Sequence, residues 1–139
     1  MRGASALQKL LREVPESRLS VLIVWEPVIL SDQGPPLSST LSLVSDGRAA
    51  QFWDESRSLS RSMVRSAIEA PSPSAPGDSI RPDTIVWDFV AVFAPGAIWG
   101  PSPRPLFHGG PVVDVIEEVR ASLSPPSPAP ATPEPSVAP

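Results

Sequence analysis

The chain has 139 residues, a net charge of −4 and no cysteine. Its length suits one domain, and a domain of this size buries roughly two-thirds of its unfolded surface. The absence of cysteine excludes disulfides, thiolate nucleophiles and cysteine-bound metals within the sequence as written, and the acidic balance argues against nucleic acid as a partner.

Hydrophobic periodicity predicts an amphipathic helix followed by a buried strand. Leucines and a valine recur at i, i+3, i+4 and i+7 over residues 4–14, and Pro15 closes this helix. Residues 19–25 (LSVLIVW) are nearly continuous apolar, which is typical of a strand buried on both faces. Because Pro27 lacks a backbone donor, we expect regular pairing to end near Glu26.

Turn signals divide the next segment into short elements. The composition of residues 31–36 indicates a loop, and apolar spacing favours a short helix over 37–45. Asp46-Gly47 is a strong turn signal, and residues 49–53 read as a short strand. Asp54 then predicts a helix N-terminus, with the helix running from about 56 to 69.

The second half predicts a strand-rich segment and a closing helix. Residues 71–83 form a proline-rich loop and residues 85–93 a strong strand, followed by a turn at Pro95-Gly96. The further predicted elements are a partner strand over 97–99, a short strand over 106–108 and a helix over 112–123, with Pro111 at its first position.

We expect the domain to comprise residues 1–123 and to be followed by a disordered tail over 124–139. Seven of the 20 prolines lie in these last 16 residues, and the tail lacks the apolar content to offset its ordering entropy. A PxxP match at 125–128 arises from composition alone. No stretch suits a transmembrane helix or a signal peptide, so the sequence predicts no membrane association and a cytoplasmic protein, exported if the true start lies upstream.

No constellation predicts a catalytic, cofactor-binding or metal site. His108 is the single histidine, no serine lies in a G-x-S-x-G elbow, and the carboxylates are dispersed. The adjacent Glu117 and Glu118 point in two directions, and Asp54-Glu55 is better explained as a helix start. We therefore expect no enzyme activity from the chain as written and no bound cofactor.

Several residues have both a structural and a functional interpretation. Gly109-Gly110 is better explained by packing or turn geometry than by an anion site. The row formed by Arg57, Arg61 and Arg65 is better explained as a solvated helix face than as a site for an anionic partner. The four tryptophans lie in or beside predicted strands and favour core positions over an aromatic ligand platform; they are Trp25, Trp53, Trp87 and Trp99.

The order of elements, together with three short stretches, resembles the thioredoxin-like superfamily in its TlpA-type and peroxiredoxin-related branch. The stretches are Val21–Val28 (VLIVWEPV), Ala50–Asp54 (AQFWD) and Val86–Trp99 (VWDFVAVFAPGAIW). The last resembles the family's strand–turn–strand, and Val112–Leu123 would be its closing helix. The resemblance covers about residues 4–123, and it implies an α/β fold with a mixed sheet flanked by helices.

The chain departs from the family pattern at the redox site and in the sheet. The family's CxxC motif begins the first helix and would here fall at or before Met1, while the positions of its cis-proline correspond to Trp87 and Asp88. The family's central strand precedes the first helix, between the strands corresponding to 19–25 and 86–93, and no residues remain to form it. We expect those two strands to pair directly or to flank a gap.

Three hypotheses follow. The first is a non-catalytic thioredoxin-like domain, or a fragment of one, that acts at most by binding, with a protein as its possible partner. The second is a thiol-disulfide oxidoreductase whose central strand and CxxC lie upstream of a misassigned start. The third is a scaffold that meets another protein through its proline-rich tail.

Overall fold

The computed structural model describes residues 2–15, 18–29, 32, 34–69, 85–98 and 104–123. Within these residues the fold is mixed α/β, with four helices and two small sheets. The helices are α1 (Arg2–Glu13), α2 (Ser38–Leu41), α3 (Ser58–Glu69) and α4 (Ile116–Leu123). The strands are β1 (Val21–Trp25), β2 (Ala49–Trp53), β3 (Val90–Val92) and β4 (Phe107–Gly109). The loop expected over 71–83 and the tail over 124–139 lie outside the described residues, as does Trp99.

Each two-stranded sheet is called a half-sheet below. The first half-sheet pairs β1 and β2 in parallel, in a register that runs from Val21 opposite Ala49 to Trp25 opposite Trp53. The predicted strands are confirmed, and β1 ends at Trp25, as Pro27 predicts. The Asp46-Gly47 turn also forms, because the Ala49 N–H donates to the Asp46 carbonyl at 3.0 Å. The helix predicted over 37–45 contracts to the four residues of α2.

The second half-sheet pairs β3 and β4 antiparallel, with Val90 opposite Gly109 and Val92 opposite Phe107. The strand predicted over 85–93 was too long, because Asp88 takes a left-handed φ of 49° that interrupts extended structure. The strand predicted over 97–99 is wrong at 97–98, which are not in a strand; β4 is the partner of β3.

The closing helix begins later than its sequence suggests. Residues 112–114 are turns, and the Val112 N–H donates to the Asp88 carbonyl at 3.0 Å. That tertiary bond fixes the chain ahead of the helix, so α4 starts at Ile116 and Pro111 is not its first residue. The Gly110–Pro111 peptide bond is cis.

The core of the described residues is thin. Its buried apolar side chains lie on α1, in the loop after α2 and around α4; they are Leu10, Leu11, Val44, Val112 and Val119. The prediction that β1 is buried on both faces is wrong, because Leu22 is 70% exposed and the other β1 residues are half-buried. Trp87 is 71% exposed, which corrects its assignment to the core, whereas Trp25 and Trp53 are half-buried.

Helix α1 joins the two half-sheets. At its N-terminal end Gly3 lies against the Asp88 side chain, which precedes β3. At its C-terminal end the Arg48 guanidinium donates to the Leu11 carbonyl at 2.6 Å and to the Val14 carbonyl at 2.7 Å. Arg48 also accepts the Val21 N–H at the start of β1. The helix is about 18 Å long, so its N-terminal end reaches the second half-sheet and its C-terminal end reaches the first.

Candidate docking edge between the two half-sheets

One edge of β1 lacks a strand partner in the described part of the chain. In a parallel ladder, alternate residues of each strand direct both N–H and C=O to the neighbour. The Val21 N–H donates to Arg48 at 3.0 Å, and the Trp25 C=O accepts from Asp54 at 2.8 Å, so the odd-numbered residues of β1 face β2. Leu22 and Val24 therefore direct their N–H and C=O to the opposite edge.

The side chains beside this edge are apolar on both faces of β1. Leu22 and Val24 share one face with Ala50 and Phe52, and Phe52 is 52% exposed. The other face carries Val21, Ile23 and Trp25, which are all half-buried.

Helix α1 and the loop after α2 cover the second of these faces. There the Gln51 amide donates to the carbonyls of Leu41 and Val44, both at 2.9 Å, and accepts the Trp25 indole N–H at 3.0 Å. The Gln8 side chain accepts the Ser45 N–H at 2.7 Å, which holds α1 on the same side. The face that carries Leu22 and Phe52 is thus the more open one.

Side chains connect β1 to the approach of β3. Glu26, directly after β1, accepts the Ser60 N–H at 3.0 Å and the Ser60 hydroxyl at 2.5 Å. The same hydroxyl accepts the Val86 N–H at 3.1 Å and lies 3.3 Å from the Val86 carbonyl. Within the described residues, β1 and β3 share no ladder, and this polar bridge joins the chain after β1 to the chain before β3.

Two carboxylates, of Asp54 and Glu26, accept N–H groups of the N-terminal turn of α3. Asp54 accepts the Leu59 N–H at 2.9 Å and the Ser56 hydroxyl at 2.9 Å, which confirms that its side chain caps this helix, although α3 starts at Ser58 rather than near residue 56. Burial alone would raise the pKa of Asp54, but the hydrogen bonds from Leu59, Ser56 and Ser58 together lower it. Glu26 satisfies the next N–H, at Ser60. The N–H groups of Leu59 and Ser60 at this helix end therefore bond to the protein's own carboxylates rather than to an external anion.

Those singled-out residues that the structure describes do not converge on one site. His108 is exposed on β4, with its ring centroid 5.9 Å from that of Phe89. The close approach of the backbone at Gly110 supports the packing interpretation of this glycine, because a β-carbon there would lie 2.5 Å from the Asp88 carbonyl oxygen.

Several described charged residues of α3 and α4 engage the protein's own groups, and Arg120 of α4 also pairs with Glu13 of α1. Arg61 is exposed and donates to the Ser56 carbonyl, and Glu117 pairs with Arg120 at 3.0 Å. The Arg65 side chain lies outside the description. These contacts give no sign of a site shared by the arginine row.

Sequence reasoning missed the Glu26–Ser60–Val86 bridge. Ser60 is one of many serines in the chain, and nothing in its local pattern sets it apart. Its signal is tertiary, since Glu26 and Val86 are 34 and 26 residues away along the chain.

The described residues contain neither a metal-ligand cluster nor a membrane-spanning helix. No group of three or more histidine, aspartate and glutamate side chains there is placed to hold a metal ion. None of the helices described is both long enough and apolar enough to span a bilayer. Comparison with protein-family models, curated proteins and solved structures finds no match.

Proposed function

We propose that this chain is a thioredoxin-like module without redox chemistry that acts by binding an extended segment between its two half-sheets. The observation that carries the proposal is the outward row of N–H and C=O groups at Leu22 and Val24, which no strand in the described residues pairs. Unpaired strand edges of this kind are templates for an added strand.

The burial of the strands supports the same proposal. The apolar composition of β1 suits a strand covered on both faces, yet its residues are half-buried and Leu22 is exposed. A segment added beside β1 would cover the flanks of these side chains and supply the missing ladder partners. Because β1 presents apolar side chains on both faces, the favoured segment is extended and nearly continuously apolar.

The absence of cysteine separates this proposal from the oxidoreductase hypothesis. Thiol–disulfide exchange proceeds by thiolate attack on a disulfide, and the chain supplies no thiolate. In an insulin-reduction assay with dithiothreitol, the purified chain should give no rate above the blank. A strand followed by C-x-x-C in the reading frame upstream of Met1 would favour the oxidoreductase instead.

The direct test selects a phage-displayed library of 12-residue peptides on the immobilised full-length chain. Leu22→Pro removes the outward N–H at a position where an edge strand tolerates proline. Leu22→Ser removes the same apolar side chain but keeps the N–H, so it is the matched control. Enriched peptides should be rich in apolar residues and should slow amide exchange at Leu22 and Val24.

The two variants decide whether binding uses the backbone edge. We expect Leu22→Pro to bind the enriched peptides about fivefold more weakly than Leu22→Ser, the factor set by one hydrogen bond of ordinary net strength. Equal binding by both variants, or peptides that leave Leu22 and Val24 exchange unchanged, would overturn the proposal.

A further inference from the structure

We propose that Ser60 and Glu26 form a clasp that closes the gap between the half-sheets in the free chain and must open when a segment enters. This inference rests on the proposed function, because it concerns how the same gap is regulated. It assigns to Ser60 a role in opposing binding, in addition to its place in α3.

The hydrogen-bond geometry defines how the clasp is held. A hydroxyl carries a single proton, and the distance of 2.5 Å to the Glu26 carboxylate is much shorter than the 3.3 Å to the Val86 carbonyl. Bonds to an ionised oxygen are also the stronger ones. The Ser60 hydroxyl therefore donates its hydrogen bond to the Glu26 carboxylate, and its oxygen accepts the Val86 N–H at 3.1 Å.

Ser60 thus takes the place of a backbone partner at Val86. In a sheet the Val86 N–H would be satisfied by the carbonyl of a neighbouring strand. Here a side chain from α3 satisfies it, and Ser60 is held by two bonds to Glu26, one from its backbone N–H and one from its hydroxyl. Ser60 is 3% exposed, whereas Glu26 and Val86 are half-buried, so the bridge is partly shielded from solvent.

This placement makes the clasp a competitor of the proposed segment. An extended segment that pairs with β1 as far as Glu26 arrives at the bridge, and pairing with Val86 requires the Ser60–Val86 bond to break. The occupant consistent with this exchange is an extended peptide backbone, because the group to be satisfied is a main-chain N–H. Binding is therefore weakened by the free energy of the bond that is lost.

The test compares Ser60→Ala with Ser56→Ala in the full-length chain. Ser56 also donates a hydroxyl to a carboxylate, at Asp54, but has no bond to Val86, so it is the matched control. We expect Ser60→Ala to raise Val86 amide exchange and to bind the library-selected peptides about fivefold more tightly, whereas Ser56→Ala changes neither. The factor of five corresponds to one ordinary hydrogen bond.

A second variant covers the case in which Ser60→Ala does not fold. Glu26→Gln keeps an acceptor for the Ser60 N–H but weakens the hold on the hydroxyl, and it should act in the same direction with a smaller effect. Unchanged Val86 exchange would show that no clasp exists, and raised exchange with unaltered or weaker peptide binding would show that the clasp does not oppose binding. If no peptide binds any variant, the proposed function fails, while Val86 exchange still decides whether the clasp forms.

Discussion

The Asp88 carboxylate lies against Gly3 so closely that a β-carbon at residue 3 would overlap its Oδ1 atom. Asp88 holds this position with a left-handed φ of 49°, and its carbonyl accepts the Val112 N–H at 3.0 Å. A single residue before β3 therefore contacts the first turn of α1 and the turn ahead of α4. The glycine at position 3 is what allows the helix to come this close.

Replacing Gly3 with alanine should destabilise the protein, although alanine is the better helix former by about 1 kcal/mol. The Asp88 carboxyl must turn away from the new β-carbon, and the Val112 β-carbon at 3.1 Å crowds it further, so we expect the cost to exceed this gain. In an Asp88→Gly background the carboxylate is gone and the Val112 contact remains, so the same Gly3→Ala change should be less destabilising. Denaturant melts of the two single variants and the double variant measure this difference. An equal effect of Gly3→Ala in both backgrounds would show that the two residues do not interact.

Gly110 provides a comparison within the same junction. A β-carbon there would meet the Asp88 carbonyl oxygen at 2.5 Å, and backbone atoms cannot turn aside as a side chain can. Gly110→Ala should therefore cost about 1–3 kcal/mol. Gly47→Ala is the control, because a β-carbon there has no atom within 4 Å, and it should change stability by less than about 0.5 kcal/mol. Comparable melting of the two variants would contradict the packing described at Gly110.

Local signals predicted the first half-sheet well and the second one poorly. The Asp46-Gly47 turn, the strand that follows and the Asp54 cap all depend on neighbours in sequence, and all three form. The start of β3 depends instead on Asp88, whose left-handed backbone is held by Val112, 24 residues later. The start of α4 is displaced by the same bond.

The candidate site was even less accessible to sequence reasoning than the fold. The apolar run at β1 indicated a strand, and the element order led to the expected gap beside it. The exposure of Leu22 depends on which elements cover that face. The Ser60 bridge depends on three segments that meet only in the folded chain.

Acid should weaken the contact that fixes the C-terminal end of α1. The Arg48 guanidinium donates to both carboxylate oxygens of Asp46, at 2.8 Å each, and lowers the pKa of Asp46 to about 2. Because this pKa is depressed in the folded state, the stabilisation is fully present above the unfolded value of about 4 and is lost as the pH falls towards 2. Asp46→Asn should be less stable than the wild type at neutral pH, and the two stability curves should converge between pH 4 and 2. Curves that stay parallel through this window would rule out the Asp46 contribution.

The most direct test of the open edge is amide hydrogen exchange along β1 in the full-length chain, measured by NMR and corrected for intrinsic rates. Ile23 and Trp25 direct their N–H groups into the ladder with β2, whereas Leu22 and Val24 direct theirs to the unpartnered edge. The account predicts strong protection at Ile23 and Trp25 and exchange at least about tenfold faster at Leu22 and Val24. Equal protection at all four amides would mean that a strand already pairs this edge, and it would contradict the proposed docking site.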